Sequence, residues 1–124
     1  MRTAISILLT LLAVNAANTQ ANTQANTQAF VGRWYSEDVM ECKGKRGDRV
    51  APLEYTAKEV FGLEYPCQIV SATPKGPATE LTLRCTGGGT ASTERETVVV
   101  QGRQLKRTKM FGGKKRTFTQ TRCP

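Results

Sequence analysis

The stretch Thr79-Glu80-Leu81-Thr82-Leu83-Arg84-Cys85 alternates polar and apolar residues along its whole length. A period of two residues is typical of a β-strand with one buried face. A second β-rich run, Cys67 to Thr73, precedes it, and the segment between them, Pro74 to Ala78, has the composition of a turn. The two runs therefore predict an antiparallel hairpin.

The register of this hairpin brings two cysteines together. If the hairpin is symmetric about Gly76, apolar residues share one face and polar residues share the other. The facing pairs on the apolar side are Cys67 with Cys85, Ile69 with Leu83, and Ser71 with Leu81. The turn and the polar–apolar alternation define this register without reference to the cysteines. Their facing positions therefore predict a disulfide bond between them.

The chain has four cysteines, and the other two, Cys42 and Cys123, are predicted to form a second disulfide bond. A zinc site is the alternative, but zinc ligands usually come in pairs about two to four residues apart. The gaps between these cysteines are 25, 18 and 38 positions, and the sequence contains no histidine. We therefore expect two disulfide bonds, no metal site and no cofactor.

The beginning of the chain indicates export. Residues 1–17 combine a positive charge at Arg2, an apolar run from Ile5 to Val14 and small residues after it, which predicts a signal peptide. The apolar run is too short to span a bilayer, which takes about 20 residues. Residues 18–29 are three copies of Asn-Thr-Gln-Ala, a predicted disordered linker, and residues 30–124 form the predicted domain. We expect a periplasmic or secreted protein, where disulfide bonds persist.

Further strand and turn signals follow one another along the domain and predict an all-β fold. Upstream strands are expected at Gly32–Glu37 and Leu53–Lys58, a loop at Glu41–Val50 and a short helical turn at Lys58–Leu63. Downstream, the predicted elements are Val98–Val100, a turn at 101–103, a strand at Gln104–Phe111, a tight turn at Gly112-Gly113 and a strand at Lys114–Cys123. Such a series predicts a small antiparallel meander that forms a closed or partly open β-barrel, with a β-sandwich as the alternative.

The two ends of the domain carry a family resemblance. Gly32-Arg33-Trp34 at the start and Arg122 near the end resemble the calycin superfamily of up-and-down barrels, which includes lipocalins, avidins and small bacterial metalloprotease inhibitors. The layout also resembles small four-cysteine proteins exported by bacteria. The calycin resemblance implies that Gly32 and Trp34 open the first strand and that Arg122 packs over the indole, so that the three close one end of the barrel.

Catalysis is not expected from this composition. The usual general base, histidine, is missing, and all four cysteines are assigned to disulfide bonds. Acidic residues concentrate in the first half of the domain, where surface ion pairing with the many lysines and arginines explains them. The run Gly87 to Gly89 lacks the Gly-Lys-Ser/Thr and the helix of a phosphate-binding loop, and is interpreted as a turn.

Charge is the strongest functional signal. The formal net charge is +8, and residues from Thr97 to the end include eight basic residues and no acidic one. A two-residue turn at Gly112-Gly113 places Lys109 opposite Arg116, and like charges opposed across a strand pair cost stability unless an anion lies between them. The predicted binding residues are Arg107, Lys109, Lys114, Lys115 and Arg116. The alternative is that they form a solvated edge that prevents aggregation.

These features predict an exported, monomeric, non-enzymatic binding protein whose basic hairpin recognises an anionic protein or envelope surface. Nucleic acid is not an expected partner, because Phe111 and Phe118 are too few aromatic residues for a stacking platform. One alternative is a calycin-like inhibitor that presents the segment 18–29 or a loop to an extracellular protease. Another is a small-ligand carrier that uses the interior of the barrel.

Overall fold

Eight antiparallel strands form a closed barrel in residues 28–124, the part of the chain that the computed structural model describes. Each strand pairs with the next along the chain, and the last pairs with the first. The strands are β1 Gly32–Tyr35, β2 Leu53–Tyr55, β3 Glu59–Phe61, β4 Cys67–Lys75, β5 Ala78–Gly87, β6 Thr90–Gln101, β7 Gln104–Phe111 and β8 Lys114–Arg122. The predicted all-β meander is confirmed as a closed barrel, and the β-sandwich alternative is wrong.

The predicted signal peptide and residues 18–27 of the predicted linker lie outside the described residues, so the export signal and an inhibitory N-terminal segment stay predictions. The last two linker residues, by contrast, belong to the domain. Gln28 accepts a hydrogen bond from the backbone of Val31, and the carbonyl of Ala29 accepts one from Arg122. The structured domain therefore begins at least two residues before Phe30.

The β4–β5 hairpin confirms the predicted core face and corrects part of the register. Cys67 pairs with Cys85 and Ile69 pairs with Leu83, as expected, but Ser71 pairs with Thr82 and not with Leu81. The turn has only two residues, Gly76 and Pro77, which moves the axis of the hairpin by half a residue. A β-bulge between Ile69 and Ser71 absorbs the extra residue and keeps the cysteines paired.

The first half of the domain differs more from expectation. The predicted helical turn at Lys58–Leu63 is instead strand β3, because Val60 pairs with Tyr55 on one side and with Cys67 on the other and is completely buried. The predicted loop at Glu41–Val50 begins within a 3-10 helix, Val39–Lys43. Asp38 caps this helix and Glu41 bonds back to the Asp38 backbone, a capping box that the sequence analysis did not detect.

The two C-terminal hairpins form as predicted. Strand β7 has the predicted bounds, and the β7–β8 pairs include Lys109 with Arg116 and Met110 with Lys115. The turn between these strands has φ of +54° at Gly112 and +79° at Gly113, a conformation that side chains with a Cβ rarely adopt. Strand β8 ends at Arg122, and strand β6 begins at Thr90, eight residues before the predicted start.

Both predicted disulfide bonds are confirmed. Cys42 in the 3-10 helix bonds Cys123 just after β8, across a sequence separation of 81. Cys67 and Cys85 bond across β4 and β5 on the inner face of the barrel, where both are buried. Within residues 28–124 no helix is long and apolar enough to cross a membrane.

Strand β4 is paired on both sides only over its first part. It meets β3 through Cys67 and Gln68, and the amide of Ile69 donates to the Lys58 carbonyl. From Ser71 to Lys75 it pairs with β5 alone, and no other strand of the described region covers that side. This stretch contains Pro74, which has no N–H to offer.

The strand pairing gives the barrel two different ends. The end that carries the turns at Gly76 and Gly102 is filled by Phe30 and Trp34 and is called the closed end. Phe30 is almost fully buried, with its ring edge-on to Tyr55 at 5.5 Å. The opposite end carries the turns at Gly88 and Gly112 and is called the open end.

Candidate functional site

A cavity of about 430 Å³ lies inside the open end of the barrel. Its inner part is formed by charged side chains of β6 and β7, and its outer part by aromatic side chains and the Cys67–Cys85 disulfide bond. The apolar core of the closed end, which includes Tyr55, Leu81 and Leu105, lies beneath it. The barrel is therefore packed at one end and hollow at the other.

Glu96 does not line the cavity itself but is bonded to Arg107, which does, and its side chain is completely buried. The guanidinium of Arg107 bonds both carboxylate oxygens, with Nε 2.7 Å from Oε1 and Nη2 3.1 Å from Oε2. The hydroxyl of Tyr55 donates to the same Oε1 from the core side. A buried charge needs such partners, because it has left water.

The surroundings of Glu96 shift the pKa values of Tyr55 and Arg107. Burial raises the pKa of Tyr55 well above its ordinary value, and the adjacent charge of Glu96 raises it further, so the phenol stays neutral and donates. Burial alone would lower the pKa of Arg107, but its hydrogen bonds to Glu96 and its electrostatic contacts with Tyr55 and Glu96 together outweigh burial, and the pKa is raised. The arginine is a permanent cation at the inner limit of the cavity.

Lys109 is the next inward-facing residue of β7 after Arg107 and lies nearer the open end. Its ammonium is 3.1 Å from a carboxylate oxygen of Glu94 and 3.9 Å from one of Glu96. The Lys109 side chain is nearly buried, whereas that of Glu94 is 41% exposed. Lys109 is thus held inside the cavity, while its nearest partner is free to turn toward solvent.

Aromatic side chains surround the mouth of the cavity. The rings of Phe111 and Phe118 meet edge to face at 6.3 Å, and the guanidinium of Arg116 lies 5.6 Å from the Phe111 ring. Across the mouth, the Tyr65 ring lies against Gly87, so that a Cβ at this position would overlap the ring. Gly87 thus makes room for the Tyr65 ring at the edge of the cavity.

The structure divides the five residues predicted to bind a surface partner. Arg107 and Lys109 lie inside the barrel and not on its outer surface, because strand alternation puts them on the same face as buried Leu105 and because Glu96 and Glu94 neutralise them there. The other three, Lys114, Lys115 and Arg116, are exposed at the open end. Lys115 pairs with Met110 on the outer face of the hairpin, and Lys114 pairs with Phe111 on the inner face.

The residues predicted to close the barrel lie together at the other end. The Arg122 guanidinium is 4.2 Å from the centre of the Trp34 ring and donates to the carbonyl oxygens of Val31 and Ala29. Gly32 has a φ of +147°, and a Cβ there would lie 2.5 Å from Arg122 Nη1. A side chain at position 32 would displace the arginine.

The sequence analysis missed Tyr55, Glu94 and Glu96. A signal for the two acids was present, since they continue the alternation that runs backward from buried Val98, and Glu96 faces Lys109 across the hairpin. Glu94 also lies near the sulfur atoms of Cys67 and Cys85. Those sulfurs are bonded to each other, so the cluster offers no thiolate and does not suit a metal ion.

Two other hollows are less suited to a ligand. One, of about 230 Å³, lies at the closed end beside Phe30 and Pro77. The other, of about 520 Å³, lies on the outside of β1 and β2. Of the three arginines that line it, Arg33 and Arg46 form salt bridges with Glu54, and Arg46 also covers the Phe61 ring at 3.9 Å.

Comparison of the chain with known protein families, with curated proteins and with solved structures finds no match.

Proposed function

We propose that the protein binds a small organic anion with an apolar body in the open end of the barrel, without chemical conversion. The observation that carries this proposal is the position of Arg107. Its Nε and Nη2 bond Glu96, while its third nitrogen, Nη1, has no acceptor within residues 28–124 and belongs to a residue that lines the cavity. An anionic oxygen at this nitrogen would complete the donor set of the arginine.

The balance of charge in the cavity favours an anion over a cation. Glu96 already accepts from Tyr55 and Arg107 and has no exposed surface to offer a ligand. Lys109 is paired mainly with the half-exposed Glu94, which an incoming acid group can replace while Glu94 turns to water. Arg116 at the mouth forms no salt bridge with any described residue, and adds a further positive charge on the path inward.

The size and lining of the cavity favour a ligand with an apolar part. Its volume of about 430 Å³ lies within the range of small-molecule sites, about 300–1,000 Å³. The outer wall offers Phe111, Phe118 and the disulfide bond, and removal of these apolar surfaces from water lowers the free energy of the complex. The ligand would lie with its acid group near Arg107 and its apolar part between the aromatic rings.

Calorimetric titration with decanoate, decanol and decyltrimethylammonium tests the proposal, because the three ligands share a chain and differ in head-group charge. Decanoate is expected to bind at least about tenfold more tightly than the other two, which corresponds to one charge-assisted hydrogen bond. Equal affinity for all three ligands would contradict the role assigned to Arg107.

Two variants connect this binding to the cavity. Ser92 lies on the inner face opposite Cys85 and lines the mouth, so Ser92→Trp should fill the cavity and abolish decanoate binding. Lys109→Gln should weaken it by about tenfold. The matched control, Lys115→Gln, removes the same charge from the outer face of the neighbouring strand and should bind decanoate as the unmodified protein does. Unchanged binding by Ser92→Trp would place the ligand elsewhere.

A further inference from the structure

The tip of the β7–β8 hairpin combines exposed apolar side chains with unpaired basic ones. Met110 is 62% exposed and Phe111 is 43% exposed, although both are large and apolar. After the turn come Lys114, Lys115 and Arg116, all exposed. We infer that this tip is a docking element for an anionic lipid membrane, a role that does not depend on ligand binding in the cavity.

The basic residues of the tip have no acidic partner among residues 28–124. Lys114, Lys115 and Arg116 form no salt bridge with any residue of the described region, whereas nearby Lys109 is held by Glu94. Strands β7 and β8 contain no acidic residue at all. The positive charge of the tip is therefore available to the negative surface potential of an anionic bilayer.

The arrangement around the hairpin favours a bilayer over an acidic protein. Met110 and its partner Lys115 lie on the outer face, while Phe111 and its partner Lys114 lie on the inner face. Arg116, which pairs with Lys109, also lies on the inner face, so both faces of the tip carry apolar and basic side chains. A partner protein would contact one face, but the interfacial layer of a membrane surrounds a protruding tip and takes apolar groups below the charged head groups.

Docking by this tip orients the whole molecule. The tip belongs to the open end, so Phe111 and Phe118, which line the mouth of the cavity, would be adjacent to the lipid. Glu59 lies beside the β2–β3 turn at the closed end, whereas Glu64 and Glu94 line the cavity at the open end and are not part of the tip. The barrel axis would then point toward the membrane with the closed end outward.

Flotation with lipid vesicles tests this inference. We expect binding to vesicles of mixed phosphatidylglycerol and phosphatidylcholine, loss of binding as salt is added, and no binding to pure phosphatidylcholine. Equal binding to both kinds of vesicle would overturn the electrostatic part of the inference. Absence of binding to the anionic vesicles at low salt would overturn the whole, and would favour an acidic protein as the partner.

Variants at the outer face of the tip separate docking from the cavity. Lys115→Glu should weaken vesicle binding by at least about fivefold, the factor for one basic side chain at an anionic surface. Met110→Ser should weaken it by about fivefold through lost apolar burial. The control Lys58→Glu makes the same change of charge in the β2–β3 turn at the closed end, and should bind nearly as well as the unmodified protein. Equal losses from Lys58→Glu and Lys115→Glu would show that net charge, and not the tip, binds the vesicle.

Tryptophan fluorescence measures direct contact of the tip with lipid. In a Met110→Trp variant, the emission of the new tryptophan should shift to shorter wavelength on anionic vesicles. The buried Trp34 contributes a constant background signal. No shift on binding would overturn insertion of the tip. The cavity-filling Ser92→Trp variant should still float with the vesicles while failing to bind decanoate, so failure of either proposal is recognised separately.

Discussion

The guanidinium of Arg122 lies 4.2 Å above the ring of Trp34, at the point where the last strand of the barrel meets the first. The same guanidinium donates to the carbonyl oxygens of Val31, at 3.2 Å, and Ala29, at 2.9 Å. One side chain from β8 therefore binds both the indole of β1 and the backbone that leads into β1. This contact joins the two ends of the domain, which lie more than 90 residues apart in sequence.

Arg122→Ala should lower the free energy of unfolding by about 2 kcal/mol, from a partly desolvated cation–π contact and two hydrogen bonds of a charged donor. Trp34 is the only tryptophan in the chain, so its fluorescence reports on this site directly. Urea unfolding followed by that fluorescence measures both effects. Arg103→Ala is the control, because the Arg103 side chain is exposed and donates a hydrogen bond to the Arg122 carbonyl without contacting the indole. Equal losses in both variants would contradict the importance of the stacking contact.

Glu96→Gln should destabilise the protein by about 3–5 kcal/mol, because it leaves Arg107 buried without a counter-charge. The control Glu94→Gln removes the same charge from a half-exposed carboxylate, and a loss below about 1 kcal/mol is expected. Replacing both members of the buried pair, as Glu96→Leu with Arg107→Met, should recover much of the loss. Urea denaturation measures all three, and similar values for the two glutamine variants would contradict this assignment.

Alkaline pH should weaken the protein through Tyr55. Its pKa is raised in the folded state by burial and by Glu96, so the folded protein retains a proton that the unfolded chain loses above about pH 10. The stabilising contribution is complete below that pH, and it falls as the pH rises toward the folded-state pKa. The difference in unfolding free energy between the unmodified protein and Tyr55→Phe should therefore shrink above about pH 10. A constant difference at higher pH would show that the Tyr55 phenol is not protected.

Removing the disulfide bond between Cys42 and Cys123 should cost about 4 kcal/mol, because it frees a loop of 81 residues in the unfolded chain. The bond between Cys67 and Cys85 closes a loop of 18, for which the same account gives about 3 kcal/mol. Paired Cys→Ala variants, compared by urea denaturation, measure the two costs. A loss below about 1 kcal/mol for Cys42→Ala with Cys123→Ala would contradict the chain-entropy explanation.

The β4–β5 and β7–β8 hairpins were predictable because each combines a strand pattern with a distinctive turn, and the opposed cysteines of the first hairpin agreed with its register. Strand β3 was not predictable from its three residues, since Val60 becomes a strand residue only through partners on both sides. The bulge after Ile69 was also hidden. It depends on the number of residues in the turn at Gly76, which composition alone does not determine.

A ligand site inside the barrel was kept as an alternative, but the acidic residues at the cavity were not predicted, for a different reason. Inward-facing charges in β6 interrupt the apolar alternation, so the strand was predicted to begin at Val98 and its acidic residues were left out. The register around Gly112 correctly paired Lys109 with Arg116, but it did not tell which face of the hairpin lies inside. Only the closed barrel decides that, by placing Leu105 in the core and Arg107 on the same side.

The stretch of β4 from Ser71 to Lys75 pairs with a neighbouring strand on one side alone. This free edge affects how copies of the protein meet. A flat strand with free N–H and C=O groups recruits further copies into fibrils through backbone pairing. Here the bulge beside Val70 bends the strand, Pro74 lacks the donor that such growth requires, and Lys75 places a charge at the end of the stretch. This free stretch of β4 is therefore a poor template for polymerisation.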